Sequence, residues 1–205
     1  PALTTKDNPS GAVTNAAIVI DGATLAYVGP KSEAPSGTKY SDLGPMLVTP
    51  GLVDAHTHSA WVGSRHAEYA IRMAGGDYRA IAEAGGGIVS SHRAILAASE
   101  DDIVLGLVAR LERMASLGVT TVEVKSGYGL TPELELRQLR AIQHAAREPK
   151  VPRVVPTFLG LHAIPLAMRE NRDAYVAGQV AFVREVAEAK LATFVDAYVD
   201  ANAFT

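Results

Sequence analysis

Along the first 48 positions the apolar residues come in short runs separated by turn residues. Ala16-Ala17-Ile18-Val19-Ile20 is followed by Asp21-Gly22 and then by Leu25-Ala26-Tyr27-Val28-Gly29. Two such runs around an Asp-Gly step predict a β-hairpin, because that step tolerates the positive φ a tight turn demands. A polar stretch rich in Pro and Gly, residues 30–45, leads on to Met46-Leu47-Val48. Residues 1–48 therefore read as part of a small β-rich domain, a piece of a β-sandwich, too short to bury much by itself.

From residue 49 the pattern changes to strands alternating with helices. The first strand is expected over Leu52–His56, with helical stretches near 67–73 and 78–84. Beyond Gly85-Gly86-Gly87 a long helix is expected over 101–117. Ser99 stands at its cap, Asp102 at the capping-box position three residues on, and Gly118 at its end. A β-branched strand follows at 119–124. Thr131-Pro132-Glu133 then opens a helix whose apolar positions are Leu134, Leu136, Leu139 and Ile142. A third strand is expected over 153–159, although Pro156 lacks the N–H a central strand would use. A helix over 171–189 and a fourth strand over 194–199 complete the series.

Alternating strands and helices predict βα units around a parallel sheet. The fold class is thus α/β, a partial (β/α)8 barrel of the first four βα units over 49–205, since a whole barrel takes about 250 residues. The first and fourth strands are expected to be unpaired edges, with apolar surface exposed unless something covers it.

Composition narrows the function. With 48% hydrophobic and 20% charged residues over 205 positions the balance is globular, and a net charge of −3 offers no basic face for nucleic acid or anionic lipid. No apolar run approaches the roughly 18 residues of a membrane span. Residues 1–11 lack the order of a secretory signal, so the cytoplasm is the expected compartment. The absence of cysteine excludes disulfides and thiolate metal sites and leaves histidine and carboxylate as ligands.

The candidate chemistry lies in Pro50-Gly51-Leu52-Val53-Asp54-Ala55-His56-Thr57-His58. Residues i and i+2 of a strand share a face, so His56 and His58 would project together from a strand end. Two neutral imidazoles presented in that way suit a divalent metal; the alternative is a pair of ordinary loop histidines. Other polar residues also follow predicted strands: Lys125 and Tyr128, His162, and Asp200 with Asn202. Barrel enzymes place their chemistry at that edge.

These stretches resemble the amidohydrolase superfamily and, within it, the imidazolonepropionase family. The superfamily likeness rests on the His56/His58 motif behind a β-rich segment. The family likeness rests on Gly85-Gly86-Gly87-Ile88 with Arg93, on Glu123-Val124-Lys125-Ser126-Gly127-Tyr128-Gly129-Leu130, and on Thr157-Phe158-Leu159-Gly160-Leu161-His162-Ala163-Ile164-Pro165. It covers the chain from about residue 15 to its end, and the Lys-Ser-Gly-Tyr-Gly-Leu stretch is its most specific part.

The resemblance implies hydrolysis of a ring C–N bond of 4-imidazolone-5-propanoate to N-formimidoyl-L-glutamate, in histidine degradation, by a metal-activated water. It implies one divalent ion, zinc or iron, with His56 and His58 as two of its ligands. The remaining ligands and the acid/base residues are expected beyond residue 205, so no catalytic residue is assigned within this chain. Arg65, Tyr78, Tyr128 and His162 match substrate-binding positions: Arg65 for the propionate, the tyrosines for the flat ring and its polar edge, His162 as a donor to the substrate. Lys125 is expected to be structural, and His66, His92 and His144 to be solvated or capping residues. The partners implied are a small-molecule substrate and, in the complete enzyme, a second copy in a homodimer. Competing expectations are another cyclic amidohydrolase or deaminase of the superfamily, or a non-catalytic fragment.

Overall fold

The computed structural model describes residues 6–37, 39–77, 80–81, 84–200 and 204. The chain divides into two units, Pro1–Val48 and Thr49–Thr205.

In the first unit β1 (Ala16–Asp21) pairs antiparallel with β2 (Thr24–Pro30). Gly22 sits in the turn at φ 58, where it avoids the strain a Cβ would bring. The register jumps between Val19, opposite Tyr27, and Ile20, opposite Leu25, which leaves Ala26 as a one-residue bulge. Met46, Leu47 and Val48 are exposed and lie outside any strand.

The second unit is a mixed α/β structure. Among the described residues its sheet has four parallel strands in the order β3 (Leu52–Asp54), β4 (Val119–Lys125), β5 (Arg153–Leu161), β6 (Phe194–Ala197). The helices are α1 (His66–Met73), α2 (Ile88–Ala97), α3 (Glu100–Ser116), α4 (Pro132–Ala145) and α5 (Arg172–Glu188). As the alternation predicts, β3 and β6 are the edges, and they expose Leu52, Val53, Phe194 and Val195.

Strand β4 shows how the sheet sorts its faces. Val122 and Val124 are fully buried in the apolar core, while Thr121, Glu123 and Lys125 line a concavity of about 410 Å³ on the opposite face. Period-two alternation produces this split. Against the apolar face α3 lays Ile103, Leu107 and Leu111, one stripe at helical spacing, and α4 adds Leu139 and Ile142. Burying each of these side chains stabilises by about 1.5–3 kcal/mol. Phe158 of β5 meets Phe182 of α5 edge-on, with centroids 5.6 Å apart.

The cap of α3 is built as its sequence predicts. Ser99 Oγ accepts from Asp102 N at 3.1 Å, and the Asp102 carboxylate accepts from Ser99 N at 3.0 Å. Gly118, at φ 92, ends the helix, and its carbonyl accepts Leu52 N at 2.9 Å, which sets β3 beside β4.

Four expectations are corrected. Strand β3 stops at Asp54, not His56, although Thr57 still docks on β4 by accepting Lys125 N at 3.0 Å. Strand β6 stops at Ala197, not 199. Helix α2 has no counterpart in the predicted pattern: its N-cap, Gly87, supplies no side-chain cap, and only Ser91 and Ile95 are buried, so neither a start signal nor a stripe announces it. Strand β5 is longer than expected and central despite Pro156. The Pro156 carbonyl accepts Thr193 N at 2.8 Å, one residue ahead of β6, so the missing N–H falls before the partner strand begins. The helix expected over 78–84 falls largely outside the described residues.

Candidate active site

The carboxyl ends of β3, β4 and β5 each carry a loop, and the three loops converge. The first holds the two histidines. Thr57 N donates to Glu123 Oε2 at 3.1 Å, and Thr57 Oγ1 donates to Glu123 O at 2.6 Å. Two long side chains fix the segment beyond. Arg110 Nη1 donates to Ser59 O at 2.8 Å while its guanidinium lies 3.5 Å over the Trp61 ring, and Gln138 Nε2 donates to Ala60 O at 2.5 Å.

So held, the His56 and His58 rings stand with centroids 5.3 Å apart. His58 also stacks on His162 at 4.9 Å and lies 5.9 Å from Tyr128, and Tyr128 and His162 are 5.3 Å apart. Four of the predicted site residues, His56, His58, Tyr128 and His162, thus form one ring cluster, with Tyr198 edge-on to His162 at 6.4 Å.

Burial makes charge costly here. It lowers the His58 pKa to about 4, helped by His162, His56 and Lys125, and burial likewise lowers that of His162. Both rings are neutral near pH 7. His162 Nδ1 lies 2.7 Å from Gly127 O, and a carbonyl only accepts, so Nδ1 carries the proton and Nε2 keeps its lone pair. His162 is therefore an acceptor at Nε2 rather than the expected donor.

His58 Nδ1 is buried with no hydrogen-bond partner among the described residues. A neutral imidazole with an unsatisfied buried nitrogen beside a second imidazole fits a metal ligand pair. Among the described residues no group of three or more His, Asp or Glu is arranged to hold an ion, so any further ligand would come from elsewhere.

Below the histidines Lys125 Nζ donates to Glu123 Oε1 at 2.6 Å and to Asp196 Oδ2 at 2.8 Å. These carboxylates raise its pKa against the opposing effect of burial, and Lys125 in turn lowers that of Asp196. The ammonium, only 5% exposed, spans β4 and β6 as a structural tie.

Arg65 lies at the N-cap of α1, where its guanidinium forks onto Glu68 at 2.9 and 2.6 Å. Glu68 Oε1 also accepts Gly87 N at 2.9 Å. Tyr78 lies outside the described residues. His66 and His144 are exposed as expected, but His92 is not simply solvated: its Nδ1 lies 3.0 Å from Tyr128 O. Glu135 and Gln138, absent from the predicted set, meet the tyrosine loop from α4. Their signal was present in the sequence, because both fall on the same helical stripe as Leu139 and Ile142.

The second unit is thus an α/β structure that gathers two stacked neutral histidines and a buried tyrosine at the carboxyl edge of its parallel sheet. By sequence the chain is a relative of the imidazolonepropionases. It is 43% identical over 197 residues to the imidazolonepropionase of Cereibacter sphaeroides (strain KD131), covering 95% of this chain and 50% of that protein. It is 41% identical over 198 residues to those of Brucella suis and Brucella abortus, covering 95% of this chain and 49% of theirs. The chain therefore spans about half the length of the curated relatives it matches. No family model matches it. Among the described residues no helix is long and apolar enough to cross a membrane.

Proposed function

We propose that these residues form the N-terminal half of a metal-dependent (β/α)8-barrel hydrolase that opens the ring of 4-imidazolone-5-propanoate to N-formimidoyl-L-glutamate. The observation that carries this reading is the meeting of His58, Tyr128 and His162 from three neighbouring strand ends, in a chain 41–43% identical to imidazolonepropionases.

His56 and His58 would hold a divalent ion, zinc or iron, whose chemistry when bound is to polarise the ring carbonyl and lower the pKa of a coordinated water. The chain's own residues prepare the ground. Neutral His58 offers a lone pair without first losing a proton. His162 Nε2 accepts a hydrogen bond, which suits an N–H of the imidazolone ring, while the Tyr128 ring beside it gives that flat ring an apolar wall. Arg65 takes the propionate by exchanging one carboxylate, Glu68, for another, and so needs no rebuilding of its fork. Tyr78 completes the substrate contacts. The remaining metal ligands, the acid/base groups, the second half of the barrel and the sandwich partner of β1 and β2 come from the rest of the protein. A cytoplasmic homodimer accompanies this reading.

The test is turnover of 4-imidazolone-5-propanoate by the full-length protein, with metal content measured in parallel. Stoichiometric zinc or iron and formation of N-formimidoyl-L-glutamate support the proposal. Hydrolysis of a different cyclic amide, or none, overturns it.

A further inference from the structure

Glu135 and Gln138 lie one turn apart on α4, and both side chains are fully buried. A buried carboxylate and a buried amide destabilise a fold unless their polar atoms are matched. Their partners lie in two loops of the site. Glu135 accepts Gly127 N at 2.9 Å and Leu130 N at 2.8 Å. Gln138 Oε1 accepts Tyr128 N at 3.2 Å, while its Nε2 donates to Ala60 O. The backbone donors of Gly127, Tyr128 and Leu130 are thus satisfied by two side chains of one helix.

The loop they hold has an uncommon shape. Gly127 is at φ 106, and Leu130, a buried leucine, is at φ 57 in the left-handed region. Leucine occupies that region only where its surroundings over-determine the backbone. A Cβ at Gly129 would come within 2.5 Å of Glu135 N, so the loop rests directly on α4. The same loop sets His162, through Gly127 O, and carries Tyr128.

We propose that Glu135 and Gln138 are positioning residues: Glu135 holds the loop that sets Tyr128 and His162, and Gln138 locks that loop to the loop following His58. An apolar pair would pack α4 against the sheet as well, but it would leave the two loops free to move independently. A connected buried network specifies one arrangement. The functional part rests on Tyr128 and His162 being substrate contacts.

The experiment uses the full-length protein and the variants Glu135→Gln and Gln138→Met, both close in shape to the originals. The KM for 4-imidazolone-5-propanoate is expected to rise about tenfold or more, with metal content unchanged and kcat altered less, because a lost hydrogen bond to a buried group displaces binding residues. Amide hydrogen exchange gives a readout that does not depend on turnover. Glu135→Gln should accelerate exchange in 126–130, and Gln138→Met should accelerate it in both 126–130 and 57–60. Unchanged KM and exchange, or uniformly faster exchange with unchanged KM, would overturn the proposal. If the unsubstituted protein fails to hydrolyse the substrate, the proposed function falls, while the exchange pattern still decides whether the pair couples the loops. If Glu135→Gln does not fold, Gln138→Met decides.

Discussion

The imidazoles of His58 and His162 stack with their planes 22° apart, although they stand on the loops after β3 and β5, which have β4 between them. The stack places a candidate ligand against a candidate substrate acceptor. Substitution should separate the two roles in the full-length protein. His58→Ala should lose metal and with it turnover. His162→Ala should keep its metal and raise KM by about tenfold or more, the effect of losing one well-placed hydrogen bond. Metal analysis and steady-state kinetics on both variants check this, and equal metal loss in the two would place His162 among the ligands.

Lys125 ties Glu123 to Asp196 at 2.6 and 2.8 Å. Lys125→Met keeps the apolar stem and removes the charge, leaving two carboxylates facing each other. The expected loss of stability is about 1.5–3 kcal/mol, the range for a charge-assisted hydrogen bond. Urea denaturation measures it. A variant as stable as the parent would show that the tie contributes nothing.

Leu107, fully buried in the middle of the α3 stripe, tests the core. Leu107→Ala should cost about 2–5 kcal/mol, because neighbours close over the lost methyl groups only in part. The exposed Leu105 of the same helix provides the control, since its substitution should stay within about 0.5 kcal/mol.

Two buried groups should give opposing pH dependences. His58 is lowered from 6.5 to about 4, so an unfolded chain protonates it first; its contribution is complete above pH 6.5 and is lost as pH falls toward 4. Burial raises Glu135 from 4.5 to about 7 against the pull of its loop donors; its contribution is complete below pH 4.5 and is lost as pH rises through 7. Between these limits the two slopes offset each other. In metal-free protein, Glu135→Gln should leave the His58 slope alone, with stability climbing as pH increases from about 4.5 to 6.5. Urea denaturation across that range checks it, and a curve no steeper than the parent's would count against a titrating Glu135.

Much of the architecture was legible because it is written in short-range signals. Asp21-Gly22 marks the hairpin, Ser99 with Asp102 marks the start of α3, and Thr131-Pro132 marks the start of α4. Helix α2 was not legible, since Gly87 begins it without a side-chain cap. Strand periodicity predicts His56 and His58 on one face; their rings do lie close, but in the loop beyond β3 rather than on the strand. The stacking of His58 on His162 does not follow from that periodicity, because it depends on how neighbouring strands are set against each other. Glu135 and Gln138 show in the sequence only as polar residues on the apolar stripe of α4; their partners, like that of His92, are backbone atoms of loops, which no side-chain spacing records.

Pro156 has a consequence for assembly. Its carbonyl takes Thr193 N, yet it can offer no donor in return, so the β5–β6 ladder cannot extend toward the start of β5. A strand slipped along β5 in that direction would set an acceptor against the proline ring and lose a hydrogen bond. The proline thus disfavours a slip of β6 in that direction, and in the register observed Lys125 reaches Asp196 across β5.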